Sequence, residues 1–139
     1  MQTFLPYPDF AASAACLDNK RLGKQRVECL QILKALSDET YGWQNHPAVE
    51  MWCIYKRPLL NYGKAICAEW LKRGYKDTCY GKMVVLLDEF DIVYYRKPTW
   101  LGNSAFHASH RSNLLRKDPI HYGQFGWTEP NNLPYVWPV

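Results

Sequence analysis

The stretch DFAASAACLDNKRLGKQRVECLQILKAL, residues 9–36, decides the fold class. Asp9 is placed to cap a short Ala-rich helix over residues 10–17. Asp18 is placed to cap a longer one, from about Asn19 to Leu36, because an aspartate there accepts the backbone N–H bonds that a first turn leaves free. Leu22, Cys29, Leu33 and Leu36, with Val27, Leu30 and Ile32 beside them, form a broad apolar face. Lys20, Lys24 and Glu28 recur every four residues on another face. Lys20, Arg21, Lys24 and Arg26 crowd the opening turns, and the carboxylate of Glu28 comes one turn after Lys24. As a pattern this is an amphipathic helix with a solvated basic face. As chemistry it is a phosphate-facing helix that carries one working acid. Gly23 weakens the second turn by about 1 kcal/mol relative to Ala. Its missing side chain either admits a backbone or a nucleotide at close range or marks the true start of the helix.

Outward from that stretch the chain keeps to helices. MQTFLPYP at the start is extended, since Pro6 and Pro8 disfavour a helix. Residues 37–46 are a loop that crowds Tyr41, Trp43, Asn45 and His46 ahead of Pro47, a good first residue for a helix over 47–57. Pro58 should kink or interrupt it. A second segment runs over 59–73 with Gly74 as its C-cap. Residues 82–95 suit either buried strands or a core helix; we take the helix, because nothing else in the chain offers partner strands. SAFHASHRSNLLRKD, from residue 104, fits a helix with His107, Arg111 and Leu114 on one side and His110, Asn113 and Lys117 on another. The Pro-rich, aromatic end is too apolar for a floppy tail. The expected fold is all-α, a compact single domain over residues 1–139 with an extended N-terminus and an irregular C-terminal arm.

At 139 residues the chain can bury one real core. A net charge of +4 permits a polyanionic partner without demanding one. The 5 cysteines include no C-x-x-C pair, which fits reduced thiols in a cytoplasmic protein. MQTFLPYPDF lacks the basic start and apolar run of a secretion signal, and no run is long enough to span a membrane. His107 and His110, three residues apart, with His121 beyond, invite a metal, yet H-E-x-x-H is absent and no metal is expected. A nucleophile elbow, a Walker loop and a dinucleotide fingerprint are absent too, so no cofactor is expected. The segments 20–26 and 96–117 are basic, and the second contains no acid. Both must border one small core, where Lys and Arg can neutralise phosphates and Tyr41, Trp43, His107 or His121 can stack on an extruded base.

Four stretches carry a family resemblance: MQTFLPYPDF at the start, Ala15 through Leu33, Asn45-His46-Pro47 with Trp52, and His107 through Asp118 to Tyr122. In these the chain resembles the pyrimidine-dimer DNA glycosylases, the endonuclease V-like family. The resemblance implies a compact helical fold and an N-terminal α-amine that attacks C1′ of a damaged nucleotide to give an imine. It also implies a helix glutamate that assists, arginines on the phosphates, an extruded base and β-elimination at the abasic site. Arg26 carries over on a shared Arg-Val pair. The family's glutamate aligns with Gly23, and we assign its work to Glu28, about one and a half turns on. Met1 precedes the bulky Gln2, so the terminal amine is expected to be that of Met1, with Thr3 internal. An amine is nucleophilic only when neutral, and an α-amine has a reference pKa of about 7.7–8.0, well below a lysine.

The expected function is therefore a DNA-base N-glycosylase for damaged or modified pyrimidines, with amine-based abasic-site lyase activity as a further expectation. Glu28, Met1 and Lys24 are the catalytic candidates, Lys20 being a second neighbouring amine. Lys20, Arg21, Arg26, His46, His107, His110, Arg111, Asn113 and Lys117 are the candidate nucleic-acid contacts. Double-stranded DNA is the expected partner of a monomer. Two alternatives stay open: a non-enzymatic nucleic-acid-binding protein, and an enzyme cleaving or transferring at N-glycosidic bonds of free nucleotides or nucleosides. Glu28, Arg21, His46, His107 and the terminal amine should converge on one cleft, and the mechanism fails if Glu28 points away from the other four.

Overall fold

The computed structural model describes residues 1–139 as eight α-helices and no strand. Helix α1 (Phe10–Cys16) starts where the Asp9 carboxylate accepts the Ala11 and Ala12 N–H groups, and α2 (Asn19–Ser37) starts where Asp18 accepts that of Arg21. Helix α3 is a single turn, Pro47–Glu50, and α4 spans Lys56–Lys72. Gly74, at φ +95°, follows the end of α4 in the left-handed region that its lack of a Cβ permits. Helices α5 (Cys79–Val85) and α6 (Glu89–Val93) are short. Helix α7 (Ser104–Lys117) is followed directly by α8 (Pro119–Tyr122) and a 3₁₀ turn at Gly123–Phe125.

One hydrophobic cluster of 27 buried residues holds these elements together. Leu22, Cys29, Ile32 and Leu33 of α2 meet Leu59, Tyr62 and Ile66 of α4, with Met83 of α5 and Trp52 closing the sides. Each such side chain, taken fully out of water, contributes about 1.5–3 kcal/mol. Two glycines set how closely the helices approach. A Cβ on Gly63 would lie 2.6 Å from Met83 Sδ and 2.9 Å from Cys29 Sγ. A Cβ on Gly23 would lie 2.9 Å from the Trp70 ring. The close neighbour that Gly23 admits is therefore an indole of α4, and the helix runs straight through it.

Two expected elements differ in form. The helix expected over 47–57 stops at Glu50 and passes through turns. Pro58 lies in the first turn of α4, where its missing N–H costs nothing, so it helps to start the next helix where a kink or an interruption was expected, and the interruption falls at residues 51–55. The core helix expected over 82–95 is two short helices parted at 86–88, because Asp88 and Asp91 form a capping box that begins α6. Only Met83 and Leu87 of that segment are buried in the core, while Val85, Phe90 and Val93 are 81%, 63% and 76% exposed.

The architecture turns on α7, which is wedged between two non-helical arms. On one side the N-terminal arm, Gln2 to Leu5, is buried with no strand beside it. On the other, the C-terminal arm is pinned by polar groups of α7. Ser112 donates to Pro130 O (2.5 Å) and accepts the Leu133 N–H (3.0 Å), Asn113 donates to Leu133 O (3.0 Å), and Ser109 accepts the Val136 N–H (3.2 Å). Buried backbone must be paired somewhere. Here side chains supply what a neighbouring strand would have supplied.

Candidate active site

The arm of Gln2–Leu5 is the frame of the site. Gln25 on α2 reads it most fully: its Oε1 accepts the Phe4 N–H (2.8 Å) and the Tyr62 hydroxyl (2.7 Å), and its Nε2 donates to Gln2 O (2.8 Å). One turn on, Glu28 Oε2 accepts the Gln2 N–H (3.3 Å) and the Gln25 amide (2.9 Å). From the other side α7 completes the clamp. His107 Nδ1–H donates to Leu5 O (2.8 Å) while its Nε2 accepts the Gly102 N–H (2.9 Å). His110 Nδ1 accepts the Leu5 N–H (2.9 Å), which leaves its proton on Nε2, buried and without a partner. Arg111 donates to Pro6 O (2.7 Å) and grips Glu129 with two nitrogens, at 2.9 and 3.0 Å.

These bonds correct much of the expected contact surface. His107 and His110 are 2% and 0% exposed and serve the arm. Burial holds both below the ordinary imidazole value, His110 at about 3, so both are neutral at pH 7. Arg111 is spent on Glu129 and Pro6. Asn113, 1% exposed, holds Ser109 O and Leu133 O. Arg26 turns away from the arm: it donates to Asp77 at 2.6 Å and lies over the Trp70 ring, 4.5 Å from its centroid. None of these five is available to a phosphate. His121, weighed above as a stacking or metal-binding group, contacts Cys16 O at 2.8 Å.

The remaining candidates do come together. A cleft of about 330 Å³ opens beside the arm, with Met1, Gln2 and Glu28 on its wall and Lys20, Arg21, Lys24 and Lys117 around it. Phe4, Gln25 and Tyr135 complete the lining. Glu28 is buried, at 8% exposure, with Oε2 held as described and Oε1 3.7 Å from the solvent-exposed Lys24 ammonium. One oxygen is thus locked and the other faces the cations. Lys117 arrives from the end of α7. Burial, then the charges of Arg21, Arg116 and Lys24, draw its pKa below the usual lysine value, with Glu28 opposing. Arg21 leans on Asp18 (3.2 Å), which also accepts the Tyr122 hydroxyl. His46 caps α3 by accepting the Ala48 N–H (3.0 Å). Its pKa is lowered by burial and then by the terminal amine, while Glu28 raises it. Its ring lies 5.9 Å from Trp137, itself 5.5 Å from the cleft residue Tyr135.

Of the five groups expected to converge, Glu28, Arg21 and Met1 line the cleft, His46 stands near it, and His107 lies behind the arm. Gln2, Gln25 and Tyr135 are site residues that the sequence reading did not name. Gln25, three residues before Glu28 on α2, was discoverable by spacing. Nothing in the sequence ties Gln2 or Tyr135 to Glu28.

A larger recess, about 430 Å³, lies between α4 and α6. Its carboxylate, Asp91, pairs with Lys56 at 3.6 Å and accepts the Asp88 N–H at 3.2 Å as part of the cap of α6. The smaller cleft differs in setting its carboxylate against the N-terminal arm, among Lys20, Arg21, Lys24 and Lys117.

With that geometry in view, comparison with known families is decisive. A family model described as pyrimidine dimer DNA glycosylase matches residues 1–83. The chain belongs to that family. The matched stretch holds the N-terminal arm, α1 through α4 and most of α5, and with them Met1, Lys20, Arg21, Lys24 and Glu28. The parts of the cleft supplied by α7 and the C-terminal arm, Lys117 and Tyr135, lie beyond it. Comparison with curated proteins and with solved structures returns no match. Membership in a DNA glycosylase family implies a DNA substrate. No helix is long and apolar enough to cross a membrane.

Proposed function

We propose that the whole chain acts as one unit, a cytoplasmic monomeric DNA-base N-glycosylase with abasic-site lyase activity, working on damaged or modified pyrimidines in double-stranded DNA. The observation that carries this reading is the state of Glu28. Its carboxylate is buried at the wall of a cationic cleft, locked through one oxygen to the backbone of residue 2, with the other oxygen beside an exposed amine. A carboxylate fixed through one oxygen, with the other toward a cleft lined by cations, is a candidate for chemistry on geometry alone.

In the proposed reaction a neutral amine in the cleft attacks C1′. The N–C1′ bond forms as the glycosidic bond breaks, and the base leaves with the bonding electrons and takes up a proton. The Met1 α-amine is the first candidate nucleophile and Lys24 the second. Glu28 stabilises positive charge as the sugar ionises and takes the proton that the attacking nitrogen sheds. The C1′–O4′ bond then breaks, O4′ takes the proton that Glu28 received, and the nitrogen lone pair forms the imine. Loss of a C2′ proton then expels the 3′ phosphate, breaking C3′–O. Lys20, Arg21, Lys24 and Lys117 hold the phosphates on either side. Carboxylate and amine are all the reacting groups these steps require.

Borohydride trapping of the full chain on duplexes bearing an abasic site or a UV-damaged pyrimidine pair tests the reading. Mass mapping should place the reduced adduct on Met1 or Lys24, and Glu28→Gln should abolish it while DNA binding persists. An intact mass of the same sample establishes which residue bears the terminal amine. Binding that survives with neither adduct nor base release would favour the non-enzymatic alternative.

A further inference from the structure

The cleft has two unlike margins. Lysines and arginine form one. Rings form the other. Tyr135 lines the cleft, Trp137 packs 5.5 Å from Tyr135, His46 lies 5.9 Å from Trp137, and Trp43 lies 6.0 Å from His46. The strip therefore runs from the wall that holds Glu28 out to an indole at the surface.

Trp43 is the unusual member. It has φ +73°, alone among non-glycine residues in the left-handed region, and it is 59% exposed. For a bulky side chain that backbone conformation is disfavoured by contact between Cβ and the carbonyl. The turn that imposes it is closed by a bond from the His46 N–H to Trp43 O, at 3.0 Å. Neither local preference nor burial accounts for an indole held out in this way. Backbone strain of this kind gathers at binding sites, where the surrounding structure over-determines it.

We propose that Trp43, backed by His46 and Trp137, is a stacking subsite for an unpaired nucleobase beside the Glu28 cleft. It deepens the glycosylase reading and rests on it. An enzyme that works at C1′ inside a duplex must break base stacking, and an aromatic face replaces what is lost without regard to sequence. The division of labour follows from the two margins: phosphates go to the cations, the unstacked base to the rings. The occupant is either the base left opposite the reacting nucleotide or the base beside it, and the position of the probe tells them apart.

The experiment uses the full chain and duplexes that cannot be cleaved, carrying a tetrahydrofuran abasic analogue with 2-aminopurine either opposite it or beside it. Affinity for each is compared with that for a fully paired duplex of equal length across a salt series. Wild type should prefer the duplex with an unpaired base. Trp43→Ala should cut that preference about 10-fold, Trp43→Phe should restore most of it, and the salt slope should stay unchanged because the phosphate contacts remain. The 2-aminopurine signal should respond to Trp43→Ala at one probe position, which identifies the stacked base. Trp43 is exposed, so the variants should keep the wild-type melting temperature. The proposal falls if wild type shows no preference, or if Trp43→Ala keeps it or lowers all affinities together through the salt slope. Because the probe DNA is inert, failure of the glycosylase reading shows separately, as absent base release on damaged DNA with the Trp43-dependent preference intact.

Discussion

On α2, Lys20, Arg21 and Lys24 surround the cleft, and Glu28 keeps one oxygen toward it. On α7, His107, His110, Arg111 and Asn113 turn inward, and every one of them bonds to the backbone of an arm. Both helices carry dense polar residues, yet the first presents charge to the cleft and the second builds the frame beside it. The two meet at the N-terminal arm, where Gln25 and Glu28 bind Gln2 and Phe4 while the histidines bind Leu5. Burial separates the two roles. His110 is fully enclosed and uncharged, whereas Glu28 is enclosed on one oxygen only.

The sharpest way to break this comparison is to titrate the frame. His110 has a pKa of about 3 in the fold against 6.5 when exposed, so the unfolded chain takes up a proton that the native chain refuses. Its contribution is fully present above pH 6.5 and is lost progressively as pH falls from 6.5 to 3, a loss of about 5 kcal/mol at roughly 1.4 kcal/mol per pKa unit. His110→Asn, which keeps an acceptor near Nδ1 but does not titrate, should flatten urea-derived stability across that window. An unchanged slope would show that the ring is not buried neutral. Glu28→Gln keeps an acceptor for the Gln2 N–H, so it should fold, yet base release should fall by about 10²–10⁴-fold in a single-turnover assay. Near-normal turnover would move Glu28 into the frame with the histidines.

A smaller contrast lies within α2 itself. Arg26→Ala strands Asp77, whose side chain is 4% exposed, and should cost about 3 kcal/mol in denaturant melts while leaving the salt dependence of DNA binding intact. Lys24→Ala should do the reverse, shifting stability by about 0.5 kcal/mol or less and lowering the salt slope by about one phosphate contact. The last contrast is one of packing alone, at Gly23→Ala. Helix propensity gains about 1 kcal/mol, but the new Cβ meets Trp70, which is stacked on Tyr75 and bonded through Nε1 to Lys76 O and so has little room to move. A net loss of about 1 kcal/mol is expected, and a rise in melting temperature would show that Trp70 yields.

The sequence by itself determined the helices whose signals are local. Asp9 and Asp18 announced two helix starts by capping chemistry, Gly74 announced an end, and the spacing of Leu22, Cys29 and Leu33 announced the buried face of α2. The apolar run over 82–95 misled for the same reason, since a buried segment and an exposed apolar one read alike until their neighbours are known. The cationic margin and Glu28 were legible because α2 sets them four residues apart. The roles of His107, His110, Arg111 and Asn113 were not. Their residue types suit a polyanion equally well, and only the tertiary structure lays two strandless arms along α7 whose buried N–H and C=O groups must be paired. That unmet backbone demand, created by segments distant in the chain, turned the expected DNA-binding face of α7 into an interior clamp.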